Sequence, residues 1–372
     1  MRIAVPREIK DNEFRVALTP AGVHELVGRG HEVVVEQDAG AGSSIPDADY
    51  KAAGAQVLVG AQAVWESADL LLKVKEPVAA EYGYLRSDLT LFTYLHLAAS
   101  RPCTDALLAA GTTSIAYETV TTADGRLPLL APMSEVAGRL ATQVGAYHLM
   151  RPVGGRGVLM GGVPGTPPAR VLVIGAGVAG RNAVAMAVGL HADVVVADVD
   201  VEKLKAVDAE YHGRVRTVYS TAHDLERELL AADLVVGAVL VPGAKAPKLV
   251  RDDVVAGMRA GAVLVDVAID QGGCFEGSRP TTHADPVYRV HDTVYYCVAN
   301  MPGAVPETST RALTNVTLPY VLRLAELGPL AALRADAGLA AGLNTWAGSL
   351  TNAAVAAAHD LPFTAPADVL AQ

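Results

Sequence analysis

The chain alternates between short runs of Val, Ile and Leu and Ala-rich amphipathic stretches. Continuous apolar runs bounded by turn residues predict strands buried on both faces. In the first part they fall at 2–5, 32–36, 70–74, 89–93 and 113–117. In the second they fall at 171–174, 193–197, 216–219, 234–239, 262–267 and 294–298. A helix is expected from Thr19-Pro20, with Thr19 as N-cap and Pro20 at the first helical position. Residues 128–132 read as a linker, Ser134 opens a helix that runs to Leu149, and a glycine-rich loop spans 154–165. After Pro306 the pattern turns helical to the end. The small-residue stretch 338–358 reads as a helix buried in protein, between subunits. Its Asn344, Thr345, Ser349, Thr351 and Asn352 argue against a membrane span.

Strand and helix in alternation predict an α/β protein with parallel sheets covered by helices. At 372 residues, with 51% hydrophobic, two cores are expected. The simplest arrangement is two doubly wound, Rossmann-like domains, one inserted into the other. Helices near Ser134 and after Thr308 form the crossings. The outer domain is 1–128 with 307–372, and the inserted one is 129–306. A net charge of −10 argues against nucleic acid or an anionic membrane as partner. Cys103, Cys274 and Cys297 lie far apart, with no metal-ligand spacing, and their odd number fits a reducing cytoplasm. MRIAVPREIK has neither the basic nor the apolar region of a signal peptide.

The most specific local signal is RVLVIGAGVAGRNAVAMAVGLHADVVVADVD. Gly175, Gly177 and Gly180 form G-x-G-x-x-G between an apolar strand and an Ala-rich helix. The first glycine permits the tight turn, the second lets the backbone approach a pyrophosphate, and the third allows close helix packing. Asp198 ends the next strand at the distance of a ribose-binding carboxylate. A carboxylate there repels a 2′-phosphate, which favours NAD over NADP. Lys203 nearby is a cation that could partly accommodate such a phosphate, and Asp200 reads as a solvated turn residue.

Four further groups offer chemistry: Arg15 in DNEFRVALTP, Lys75 in LLLKVKEP, His96 in LTLFTYLHLA and Asp270 in AVLVDVAIDQGG. Three of them stand where strands end, the places that line ligand sites in doubly wound folds. Each has a plainer reading. Arg15 could be a surface ion-pair partner, His96 a satisfied half-buried histidine, and Asp270 an Asx-turn residue before Gly272-Gly273. Asp266 reads as structural. Lys73 and Lys75 share one side of their strand by period-two alternation, and Lys75, nearer the end, is the one expected to meet an anion.

The segments MRIAVPREIKDNEFRVALTPAGV, LLLKVKEP, TYLHLA, GGRGVLMGGVPG, VIGAGVAGRNA, VDVAIDQGGCFEGSRPTTH and YCVANMPGAVPETSTRALTN span nearly the whole chain. Together they resemble the alanine dehydrogenase family, NAD-dependent enzymes that interconvert L-alanine with pyruvate and ammonia. The N-terminal pattern alone is shared with transhydrogenase nucleotide-binding subunits and saccharopine dehydrogenases. The resemblance implies that Arg15 and Lys75 hold the substrate and that His96 and Asp270 transfer protons. For the cofactor it implies Ser134, Val178, Ala179, Asp198, Lys203, Ser220, Val239, Leu240, Val267, Ala268, Ile269, Asp270, Arg279, Val298, Ala299, Asn300 and Met301, beside the three glycines. It also implies a cytoplasmic homohexamer with 1–128 plus 307–372 as substrate domain, 129–306 as NAD domain, and no metal. Two rivals remain: a transhydrogenase subunit that passes hydride between nucleotides, and a non-catalytic NAD-binding protein.

Overall fold

Strands made of unbroken Val, Ile and Leu can be buried on both faces only when helices cover both sides of a parallel sheet. A computed structural model, which describes residues 1–239 and 246–371, has this architecture twice. In chain order the first strands are β1 (Arg2–Val5), β2 (Glu32–Glu36), β3 (Gln56–Leu58), β4 (Leu70–Leu72), β5 (Thr90–Thr93) and β6 (Thr113–Ala116). Next come β7 (Arg170–Ile174), β8 (Asp193–Asp198), β9 (Val215–Tyr219), β10 (Leu234–Gly237), β11 (Val263–Asp266), β12 (Val287–Val290) and β13 (Thr293–Tyr296). The last are β14 (Leu343–Trp346) and β15 (Ser349–Leu350).

The strands belong to two units, residues 1–133 with 303–371, and residues 134–302. In the first unit six parallel strands run β3-β2-β1-β4-β5-β6, and the antiparallel pair β14-β15 extends the edge beyond β6. In the second unit six parallel strands run β9-β8-β7-β10-β11-β13, with β12 antiparallel at the edge. Both orders read 3-2-1-4-5-6 within their unit. The winding direction therefore reverses between β1 and β4, and again between β7 and β10. The carboxyl ends of the strands flanking such a reversal are where doubly wound sheets bind ligands.

Several expected elements differ. The stretch 338–358 is not one helix. A short helix, Ala337–Ala340, is followed by the β14-β15 hairpin and the helix Ala353–His359, so the chain is not helical from Pro306 to its end. Asn344, Thr345 and Thr351, which look unsuited to a core, are buried with their bonds made: Thr345 hydrogen-bonds Ser114 and the Thr112 carbonyl, and Asn344 donates to Thr119. β3 and β12 lie in stretches that had no strand assigned. The long helix begins at Ala131, inside the expected linker, which puts Ser134 within its first turn. The runs expected at 70–74, 234–239 and 294–298 end sooner, at Leu72, Gly237 and Tyr296. β4 stops because the Val74 N–H turns to the Glu8 carboxylate, 2.6 Å away, instead of a neighbouring strand. Thr19 is the N-cap it was expected to be, accepting from the Gly22 N–H. Asp200, expected as a solvated turn residue, caps the helix Val201–Tyr211 by accepting from the Glu202 and Lys203 N–H groups. Among the described residues no single helix is long and apolar enough to cross a membrane.

One buried carboxylate ties the amino edge of the second sheet. Glu228 meets Arg170 at 2.6 Å, Arg216 at 2.8 Å and Arg227 at 3.2 Å. Burial alone would raise its carboxyl, but the arginines outweigh burial and hold it below the ordinary value of 4.5. A carboxylate with a depressed folded value stabilises fully above its unfolded value, and that contribution fades as pH falls through the folded one. Glu228→Gln should therefore lose about 1.5–3 kcal/mol at neutral pH, and the gap to wild type should close in acid. Melting curves of both proteins at neutral pH and below the ordinary carboxyl value check this; a gap that grows in acid would contradict it.

Candidate active site

In the first unit the sites flanking the β1/β4 reversal hold a buried cluster of charges. Lys73 follows β4 directly, and its Nζ lies 2.8 Å from Glu81 and 3.1 Å from Glu8. Burial alone would lower this ammonium, yet the two carboxylates outweigh it and hold it above its ordinary value. Burial raises the Glu8 carboxyl in turn, against the pull of Lys73. Glu8 also accepts the N–H groups of Val74 and Lys75, at 2.6 and 3.3 Å. The loop after β1 thus fixes the backbone that carries Lys75. Neither lysine is solvated: Lys73 is 1% and Lys75 8% exposed. Lys73 is a structural cation with two partners of its own. Lys75 acts on Glu76: burial would raise that carboxyl, but Lys10, Lys75 and His96 hold it below its ordinary value. Lys75 and His96, which follow adjacent parallel strands, thus both act on Glu76.

Arg15 is not a surface residue. It is 2% exposed, and Glu13 grips it through Nε at 2.7 Å and Nη2 at 2.6 Å. Its Nη1 lies 3.1 Å from the Met133 sulfur. Burial alone would lower the guanidinium, and Glu13 more than compensates. His96 is 37% exposed at its side chain. Its ring stacks on Tyr94, with centroids 5.9 Å apart and planes within 5°. Its backbone is left-handed at φ 48°, which costs a non-glycine residue about 1–2 kcal/mol. Glu118 holds that turn by accepting the N–H groups of His96 at 2.6 Å and Leu95 at 3.2 Å, and it lies 3.9 Å from the His96 Nδ1. Strain kept in place by a dedicated carboxylate marks a positioned group. Glu8, Glu13, Glu81, Tyr94 and Glu118 were not singled out from sequence. Only the short spacing of Glu13 and Arg15 hinted at any of them.

In the second unit each glycine of the turn after β7 has a distinct steric role. Gly175 has φ 102°, and a Cβ there would lie 2.6 Å from the Ala238 oxygen. A Cβ on Gly180 would lie 1.7 Å from the Gly175 oxygen. Nothing lies within 4 Å of a Cβ built on Gly177, the N-cap of the helix Val178–Gly189. The turn is closed at its two outer glycines and open at the middle one, at a helix N-terminus whose dipole favours a phosphate. Asp198 accepts the Ala176 N–H at 2.6 Å and the Asp200 N–H at 2.8 Å, which aims its carboxylate beside this turn. A dinucleotide fits these residues. Lys203 is drawn to Asp200, 3.7 Å away. Ser220 follows β9 and donates its N–H to the Asp198 carbonyl. Val239 follows β10, while Leu240 lies outside the described residues.

Asp270 occupies a single 3-10 turn after β11, Ile269–Gln271, and its side chain is exposed. Among the described residues its carboxyl makes no Asx-turn bond. Backbone bonds close the turn instead, from Gly272 to Ile269 and from Gly273 to Ala268. Gly273 has φ 75°, and a Cβ there would strike Asp266 at 2.6 Å. Asp266 is wholly buried and accepts the N–H groups of Ala268, Cys274 and Phe275, and its structural role is plain. Ala268 and Ile269 pack in the core, and Val267 bonds the Gly237 carbonyl. Arg279 lies 4.0 Å over the Tyr288 ring. Val298 bridges to Thr281, Ala299 is half-buried, Asn300 is left-handed at φ 69°, and Met301 is buried.

A glycine turn open at a helix N-terminus with a carboxylate beside it on one sheet, and buried charged groups at the matching reversal of another, suit a nicotinamide-nucleotide oxidoreductase. The alanine dehydrogenase/PNT N-terminal domain family matches residues 4–137, and the C-terminal domain family matches residues 141–353. The chain belongs to the alanine dehydrogenase/PNT family. It is 66% identical over 371 residues, 100% of both chains, to an alanine dehydrogenase of Mycobacterium tuberculosis. A solved L-alanine dehydrogenase structure is similar with TM-score 0.93 and 51% identity, covering 97% of this chain and 99% of the other. A transhydrogenase from Sinorhizobium meliloti is similar with TM-score 0.80 and 27% identity, over 95% of this chain and 100% of the other.

Proposed function

We propose that this protein catalyses the reversible NAD-dependent oxidative deamination of L-alanine to pyruvate and ammonia. The observation that carries the substrate half is the buried Lys75 at the first sheet's reversal, its backbone fixed by Glu8, where a cation suits a small carboxylate. Full-length kinship to alanine dehydrogenases supplies the amino acid. A bound nicotinamide would supply the hydride acceptor for the α-hydrogen of alanine. Arg15, oriented by Glu13, and Lys75, oriented through its backbone by Glu8, bind the carboxylate and the developing carbonyl. Holding the α-carbon in one pose is itself a large contribution to rate. His96 takes a proton from the amine and later one from the water that adds to the iminium. A histidine is suited to this because its ordinary value lies near neutrality. Asp270 orients that water and the departing ammonia, and the carbinolamine collapses to pyruvate. The products are pyruvate, ammonium, NADH and one proton. The same kinship implies a cytoplasmic homohexamer.

NAD is preferred because the Asp198 carboxylate accepts ribose hydroxyls and repels a 2′-phosphate, while Asp200 occupies Lys203. Asp198→Asn keeps an acceptor for the Ala176 N–H and removes the charge. It should erode the NAD preference at least about tenfold, which corresponds to about 1.4 kcal/mol. NADH and NADPH formation with a panel of L-amino acids tests both claims. Absence of turnover with alanine would sink the substrate assignment, and equal efficiency of the unaltered enzyme with NADP would sink the cofactor assignment.

A further inference from the structure

We propose that Lys248 is a positioning residue for Asp270, holding the catalytic turn from outside as Asp266 holds it from within. The inference rests on the catalytic role proposed for Asp270. The Lys248 Nζ donates to the carbonyls of Gly272 at 2.7 Å and Phe275 at 2.9 Å. The first carbonyl lies within the left-handed pair Gly272-Gly273 that closes the Asp270 turn, and the second lies two residues beyond it. The backbone around Lys248 lies along the same loop. Ala246 donates to the Gln271 carbonyl at 3.0 Å, Leu249 to the Cys274 carbonyl at 2.8 Å, and Glu276 back to Val250 at 2.9 Å. On the inner side Asp266 accepts from Ala268, Cys274 and Phe275.

The arrangement has a chemical logic. Two consecutive glycines with positive φ leave a loop with little intrinsic stiffness, and Asp270 is the exposed residue at its head. An ammonium carries three donors and no acceptor, so one lysine can bridge the Gly272 carbonyl and the Phe275 carbonyl, which also accepts the Ser278 N–H. Lys248 is exposed and contributes nothing to the core. Its bonds act on the geometry of the loop rather than on folding.

The experiment compares Lys248→Met, Lys248→Gln and Lys248→Arg with Asp270→Asn. The readouts are kcat, KM for NAD and for alanine, NADH binding by fluorescence, and melting temperature. Lys248→Met should lower kcat about 10- to 100-fold, the scale of a small misplacement of a reacting group. NADH affinity and melting temperature should stay close to wild type. Gln, which can serve one carbonyl, should fall between, and Arg should restore most of kcat. Wild-type kcat in Lys248→Met would overturn the inference. So would a loss that follows melting temperature and is not rescued by Arg. Wild-type kcat in Asp270→Asn would remove the underlying catalytic assignment instead, whatever the lysine variants do.

Discussion

Lys75→Ala should lower kcat/KM for alanine about 10²–10³-fold while melting close to wild type, and Lys73→Ala should do the reverse. The two lysines stand two residues apart, yet their surroundings differ. Lys73 is held by Glu8 and Glu81, and its removal leaves two carboxylates buried beside each other without their cation. Breaking a buried ion pair from one side costs about 3–5 kcal/mol. The loss should appear first in the melting curve, and in catalysis only as far as Glu8 lets the Val74-Lys75 backbone drift. Lys75 is aimed by that backbone, and in a water-poor setting its attraction for a carboxylate or developing oxyanion exceeds that in bulk solvent. Parallel measurement of kcat/KM and melting temperature separates the two. A stable but inactive Lys73→Ala beside an active Lys75→Ala would exchange their roles.

His96→Asn and Asp270→Asn should each abolish most turnover and leave NADH binding intact. Asparagine tolerates the left-handed backbone of position 96 better than most residues, so the Glu118-held turn survives while the base is lost. General-base catalysis is worth about 10²–10⁴-fold, and that is the loss expected for His96→Asn. Asp270→Asn keeps the size and the turn and removes the charge that steadies ammonia and water. Neither group is assigned to the adenosine half of the cofactor, so fluorescence titration with NADH should be little changed. Turnover near wild type in either variant would remove that residue from the mechanism.

What could be read from the chain alone follows from how local each signal is. The apolar strands β7 and β8 and the glycines between them sit within one continuous segment, so their arrangement is legible in the sequence. The hairpin β14-β15 was missed for the opposite reason. Its partner β6 is more than two hundred residues distant in sequence, and its buried Asn344 and Thr345 make sense only beside Ser114, Thr112 and Thr119. The stretch around it is rich in small residues, which suit a helix equally well. The site divides the same way. Arg15, Lys75, His96 and Asp270 announce themselves by charge at a strand end or in a turn. The carboxylates that aim them do not, because nothing in the local pattern places Glu8 under Lys73, 65 residues on, or Glu118 against His96.

The placement of β14 also sets an order of assembly at the ribosome. Every strand of residues 134–302 has been made before β14 leaves the exit tunnel. The first unit, begun earliest, must wait for residues 343–350 to finish its sheet and for the helix Pro306–Leu327, whose Leu313, Val321 and Leu324 fill its core. Domains generally fold as units during synthesis, so the inserted unit matures while the half bearing Arg15 and Lys75 is still an open sheet with an uncovered edge. The nascent chain completes its inserted unit first and its discontinuous unit last.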